Sequence, residues 1–253
     1  MKIAVAGKGG VGKTSFAAWL GDYLSRQGRD VWLVDADTAL SLGEALGLPA
    51  MDAPRPLIED EALVRERVGA SGFINLSPRV EDLPERLAVP VAGMRLLVMG
   101  SVAGAGGGCA CAANALLKAL LAHLVLEREQ WLIVDLEAGV EHLGRGVVAG
   151  VDGLAVVSQP GARSLKVAAG IGAMAAELGL TRQALFLNSC AQPPELPPLP
   201  GLPKLAAHLR PLPSLIERQL NDGCVLGLRE RDEIDAVCAR IVGRFERGED
   251  QNQ

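Results

Sequence analysis

Gly7-Lys8-Gly9-Gly10-Val11-Gly12-Lys13-Thr14 stands directly after the apolar run Ile3 to Ala6, and this junction decides the fold. The four glycines let consecutive backbone N–H groups turn inward on a polyphosphate, which side chains at those positions would obstruct. The match to G-x-x-x-x-G-K-[ST] is complete. Lys13 is placed to reach β- and γ-phosphates, the Thr14 hydroxyl to ligate Mg²⁺, and a helix beginning near Ser15 to present its positive end to the anion. Lys2 to Ala6 predicts a buried strand. Phe16, Leu20, Tyr23 and Leu24 give Ser15 to Arg26 a helical apolar spacing. Strand, phosphate loop and helix together predict a nucleotide site built from Gly9, Gly10, Val11, Gly12, Lys13, Thr14 and Ser15.

Further apolar runs continue the alternation. Val31 to Val34, Met94 to Met99, Trp131 to Val134, Leu154 to Val157 and Ala184 to Leu187 read as core strands. Helices are expected at about 114–127 and 162–178. Such alternation predicts an α/β, mostly parallel, doubly wound sheet with helices on both faces. Residues 49–92, broken by prolines, read as an insertion with one helix at about 59–68 and short extended pieces. Six prolines make 193–203 a loop, leading to a last strand near 205–209. Residues 229–245 form an amphipathic helix whose mixed-sign polar face favours core packing over membrane binding. The expected organisation is one P-loop domain over 1–247 with a disordered tail at 248–253.

Composition narrows the functional classes. Nearly half of the 253 residues are hydrophobic, enough for one large buried core. A net charge of −5 supplies no broad basic field for nucleic acid or an anionic membrane. No run approaches the ~18–20 apolar residues of a membrane span. The N-terminus reads as a strand rather than a signal peptide, so a cytoplasmic protein is expected. Five cysteines without an export signal argue for reduced thiols.

Three carboxylates fall at strand ends. Asp35 and Asp37 alternate along an extended segment and so are expected to point the same way, toward the phosphates. Asp135 closes the run 131–134. Carboxylates so placed can orient an attacking water or hold the Mg²⁺ shell, the positioning on which phosphoryl transfer depends. Cys109-Ala110-Cys111 offers two thiols that share a face if extended, before a helix whose N-terminus favours thiolate. Thiolates select Zn²⁺, Cu(I), Ni²⁺ or iron–sulfur clusters, and one chain supplies two of the usual four ligands. Two small buried residues or a redox disulfide are the alternatives.

Lys8, five residues before Lys13, is not needed to bind a nucleotide within one chain. With it the loop resembles the deviant Walker A of MinD/ParA-type ATPases, in which this lysine reaches across a dimer to the partner's nucleotide. The resemblance narrows with three separated motifs: Asp135-Leu136-Glu137-Ala138-Gly139-Val140-Glu141-His142-Leu143-Gly144-Arg145-Gly146, Val80-Glu81-Asp82-Leu83-Pro84-Glu85, and the Cys109/Cys111 pair. From Met1 to about Val242 the chain is similar to the CooC-type ATPases that mature carbon monoxide dehydrogenase.

That resemblance implies ATP hydrolysis to ADP and phosphate with Lys8, Lys13 and Asp37 as catalytic residues. Mg²⁺ would lie at Thr14, Asp37 and Asp135, with Asp135 and Gly139 in switch II and Asn188 at the base. It also implies an ATP- and metal-promoted homodimer, Ni²⁺ (or Zn²⁺ in its place) between paired Cys109 and Cys111, and carbon monoxide dehydrogenase as client. Neither nucleic acid nor membrane is an expected partner. The chain departs from the family at Thr38 and Ser41, where a proline and an asparagine are usual, and at Ser189 after Asn188, where a lysine is usual. Two other classes share parts of the pattern. An iron–sulfur reductase resembling the nitrogenase iron protein also bridges a dimer with four cysteines, drawn from distant points of the chain. A MinD/ParA-type positioning ATPase needs neither cysteine.

Overall fold

The computed structural model describes residues 1–69, 75–100, 110–127, 130–137, 139, 148 and 150–246, and in the helix over 110–127 the side chains of 112–125. Strand β1 (Lys2–Ala6) leads through the glycine loop into α1 (Lys13–Arg26) and then β2 (Val31–Ala36). Short helices α2 (Leu42–Ala45), α3 (Glu61–Val68) and α4 (Leu83–Leu87) precede the hairpin β3 (Val89–Val91) and β4 (Met94–Val98). Helix α5 (Ala110–Glu127), β5 (Trp131–Leu136), β6 (Gly153–Ser158), α6 (Ala162–Glu177) and β7 (Gln183–Leu187) follow. Strand β8 (Leu205–His208), α7 (Pro213–Arg218) and α8 (Arg231–Glu246) complete the described chain.

The strands form one sheet in the order β3-β4-β2-β5-β1-β6-β7-β8. Every neighbouring pair is parallel except β3 with β4. A parallel sheet is covered on both faces, so its strands must be apolar throughout, and successive side chains divide between two cores. On one face Phe16, Leu20 and Leu24 of α1 and Ile234, Ile241 and Phe245 of α8 pack on Ile3, Val5, Leu33, Ile133 and Phe186. On the other, Leu63 of α3, Leu116, Leu120 and Leu124 of α5 and Leu165 of α6 cover Ala4, Trp32, Val34, Leu132 and Val156. The expected doubly wound architecture is therefore the observed one. Strand β1 sits between β5 and β6, and the chain winds away from it in both directions. Ligands of open α/β sheets collect beyond the strand ends at such a reversal, where the glycine loop lies.

Several boundaries differ from the sequence expectation for identifiable reasons. Helix α1 begins at Lys13, two residues early, because Gly12 closes the loop with φ 95°. In the insertion, α3 starts at Glu61, where the Asp60 side chain caps it by accepting the Leu63 N–H at 3.0 Å. Helix α4 was not anticipated, since Pro84 reads as a breaker, yet proline is tolerated in a first turn. Pro90 sits on the edge strand β3, where one side of the strand needs no ladder donor.

Helix α5 begins at Ala110 rather than near 114, so the Cys111 backbone lies in its first turn and not in an extended segment. The two thiols were expected to share a face if their segment is extended; Cys111 is helical, while Cys109 itself and the Cys111 side chain lie outside the described residues. Helix α8 buries Ile234, Val237, Cys238, Ile241 and Phe245, the core-packing role expected for it. No helix among the described residues is long and apolar enough to cross a membrane. Residues 193–203 hold neither helix nor strand, and the tail expected at 248–253 is outside the described residues.

Candidate nucleotide site

The loop between β1 and α1 is held from outside as well as by its own turns. Asn188, after β7, donates from Nδ2 to the Val11 carbonyl at 2.9 Å, and its Oδ1 accepts the Ser189 N–H at 2.9 Å. Its own N–H is fixed by the Ser158 carbonyl at the end of β6. A Cβ at Gly12 would displace the Asn188 amide from its place on the Val11 carbonyl, and the left-handed φ of 95° itself favours glycine. Gly9 and Gly10 are exposed, Val11 is buried, and Lys8, Gly12, Thr14 and Ser15 are half-buried. Lys8 has no ion pair among the described residues.

Behind the loop the three expected carboxylates converge. Strands β2 and β5 are in register with Asp35 opposite Asp135 and Ala36 opposite Leu136. Asp37 and Glu137 therefore leave the two strand ends side by side. Lys13, 6% exposed, pairs with Asp37 Oδ2 at 3.1 Å. The Thr14 hydroxyl donates to Asp135 Oδ2 at 2.6 Å, and the Ser41 hydroxyl lies 3.5 Å from it. Asp37 Oδ1 accepts the Ala39 N–H at 2.9 Å.

Asp35 has a different task from the one its spacing suggested. It is fully buried, and its two oxygens accept the Asp37 N–H at 3.2 Å and the Leu42 N–H at 3.0 Å. It shapes the loop that carries Asp37 and caps α2, rather than facing phosphates. Burial raises its carboxyl to about 6 against these two hydrogen bonds, which lower it.

Asp135 is more strongly displaced. Burial raises it to about 7, with the Thr14 hydrogen bond and the Lys13 charge opposing. Its Oδ1 is buried without a hydrogen-bond partner among the described residues. An orphaned carboxylate oxygen costs free energy unless a cation or its bound water meets it. The hydroxyl of Thr14 and the carboxylates of Asp135 and Asp37 are all-oxygen donors, the set Mg²⁺ takes alongside substrate phosphates. These residues fit the ion. It would supply charge neutralisation beside the Lys13 ammonium.

Two polar side chains of this cluster were not anticipated as site residues, Thr38 and Glu137. The Thr38 hydroxyl donates to Glu137 Oε1 at 3.1 Å and lies 3.4 Å from Asp37 Oδ1. Strand register was the signal that could have found them. Gly139 is buried two residues beyond Glu137, and residues 140–147 of the same motif are outside the described residues.

Comparison with known proteins agrees with this geometry. Residues 2–245 match the CobQ/CobB/MinD/ParA nucleotide binding domain. The carbon monoxide dehydrogenase accessory protein CooC of Rhodospirillum rubrum is 44% identical over 200 residues, 76% of either chain. An uncharacterised ATP-binding protein of Methanocaldococcus jannaschii is 36% identical over 193 residues, 74% of either chain. Among solved structures, the septum site-determining protein MinD of Pyrococcus horikoshii, complexed with Mg-ADP, has a TM-score of 0.67 at 19% identity, covering 97% of this chain and 95% of that one. At that identity the likeness speaks for the fold. A phosphate loop at the sheet's reversal, backed by buried acids, thus agrees with both the family match and the structural likeness, and the chain belongs to the CobQ/CobB/MinD/ParA nucleotide-binding family and, within it, to the CooC-type proteins.

Proposed function

We propose that this protein is an ATP-hydrolysing nickel chaperone that serves a carbon monoxide dehydrogenase. The observation that carries the reading is the 44% identity to a carbon monoxide dehydrogenase accessory protein. ATP binds across the glycine loop, with its phosphates against Lys13 and the α1 N-terminus. Lys13 then exchanges Asp37 for phosphate oxygens. This frees Asp37, held by the Ala39 N–H, to orient the water that attacks the γ-phosphorus as the bond to the β–γ bridging oxygen breaks. Lys8 completes the charge on the nucleotide of a second copy. Asn188 anchors the loop and lies beside the base.

Nickel is the cargo. Each chain offers Cys109 and Cys111, and two chains offer the four thiolates that such a site calls for. ATP favours the closed pair of subunits, and hydrolysis reopens it, releasing nickel to the client. Cys109→Ser or Cys111→Ser should abolish stoichiometric Ni²⁺ binding while leaving ATP affinity unchanged. Retention of one nickel per dimer by the double variant would overturn the reading. A broad visible absorbance after anaerobic purification would favour an iron–sulfur reductase instead.

A further inference from the structure

We infer that Glu137 is a positioning residue for hydrolysis, acting on Asp37 through the Thr38 hydroxyl; this rests on the ATPase reading above. Beyond the paired positions Asp35/Asp135 and Ala36/Leu136, the ends of β2 and β5 leave Asp37 and Glu137 as lateral neighbours. The Thr38 hydroxyl stands between them, 3.1 Å from Glu137 Oε1 and 3.4 Å from Asp37 Oδ1. It has one proton to give, and the shorter contact assigns that proton to Glu137.

Asp37 has two anchors that respond differently to nucleotide. Lys13, at 3.1 Å from Oδ2, is the residue that phosphates would draw away. The Ala39 N–H on Oδ1 remains, but it belongs to the same loop and fixes the carboxylate only relative to that loop. Besides the Ser41 hydroxyl, 3.5 Å from that of Thr14 on α1, what ties the loop to the rest of the site is then Asp35 beneath it and the Thr38–Glu137 hydrogen bond beside it. Asp35 holds the loop to its own strand. The Thr38–Glu137 bond alone of these crosses to β5, the strand that carries Asp135. It therefore keeps the water-orienting carboxylate in register with Asp135, whose placement is fixed by Thr14. Small errors in such registration cost rate more than affinity.

The test is a double-mutant cycle on the full-length protein, with Thr38→Val and Glu137→Ala as the single changes. Each should lower kcat about tenfold while leaving KM for ATP within roughly twofold, as removal of one hydrogen bond in the reacting geometry predicts. The double variant should be no worse than either single. Glu137→Gln, whose amide oxygen can still accept from Thr38, should recover most of the loss. In nucleotide-free protein, amide hydrogen exchange over residues 38–42 should rise in both Thr38→Val and Glu137→Ala and stay at the wild-type level in Glu137→Gln.

Single effects that multiply in the double variant would overturn the inference, as would a Glu137→Gln variant as slow as Glu137→Ala, which would mark the carboxylate itself as the reacting group. If the wild-type protein does not hydrolyse ATP, the ATPase reading fails. The hydrogen-exchange pattern still decides the Thr38–Glu137 link on its own, and exchange unchanged in Thr38→Val or in Glu137→Ala would refute it.

Discussion

The Thr14 hydroxyl donates to Asp135 Oδ2 at 2.6 Å while Asp135 Oδ1 stays buried without a hydrogen-bond partner among the described residues. One oxygen of the carboxylate is thus oriented by the phosphate loop, and the other has no hydrogen bond among the described residues to offset its burial. The free energy stored in that half-satisfied group makes the site sensitive to pH.

Replacing Asp135 by Asn should stabilise the nucleotide-free protein at neutral pH. Burial holds the folded carboxyl at about 7, above its ordinary value of 3.8, so the folded state binds more protons than the unfolded one between those values. Ionising the group therefore destabilises the fold as pH rises through the window from about 4 to 7. Urea denaturation should show the Asn variant and wild type alike near pH 4. By pH 8 the variant should be more stable by roughly 2–4 kcal/mol, the upper end being the full shift converted at 1.36 kcal/mol per unit. Equal stability differences at both pH values would show that burial does not hold this proton.

Binding of Mg²⁺ with nucleotide should release a proton below pH 7. A cation beside Asp135 favours its charged form, so the complex should expel a proton near pH 6 and almost none at pH 8. Calorimetry in two buffers of different ionisation enthalpy reads the number directly. An affinity and proton count independent of pH between 6 and 8 would place the cation elsewhere.

Gly12→Ala should destabilise the loop by more than ~1 kcal/mol and weaken ATP binding at least tenfold, because the new methyl meets the Asn188 amide and the backbone is left-handed. Asn188→Ala in the Gly12→Ala background should relieve the collision but not the backbone strain, restoring part of the stability measured by thermal unfolding. Additive losses in that pair would mean that the two residues do not touch.

Lys8→Ala should keep ATP affinity within about threefold, since Lys13 alone serves the phosphates within one chain. It should lose dimerisation induced by a non-hydrolysable ATP analogue, read by light scattering after gel filtration. A variant that still dimerises would remove the case for contact across subunits.

The sheet was legible because a parallel strand is buried on both faces and therefore continuously apolar, as Ile3 to Ala6 and Leu154 to Val157 are. The phosphate loop was legible because its glycines and Lys13 have few other uses in that order. The separate task of Asp35 was not. Spacing places it on the same side as Asp37, but only the folded loop brings the Leu42 N–H to it. Thr38 and Glu137 were hidden for a related reason, because they are 99 residues apart and meet through strand register, which local pattern does not encode. Pro84 and Pro90 misled in the opposite direction, since a first turn and an edge strand both accept proline.

The claim that two chains share one nickel is tested most directly by titrating Ni²⁺ into the wild-type protein with and without a non-hydrolysable ATP analogue while measuring molecular mass. One nickel per dimer, bound more tightly with nucleotide and lost in the Cys109→Ser/Cys111→Ser variant, is the predicted result. One nickel per monomer, or binding unchanged by loss of both cysteines, would contradict it.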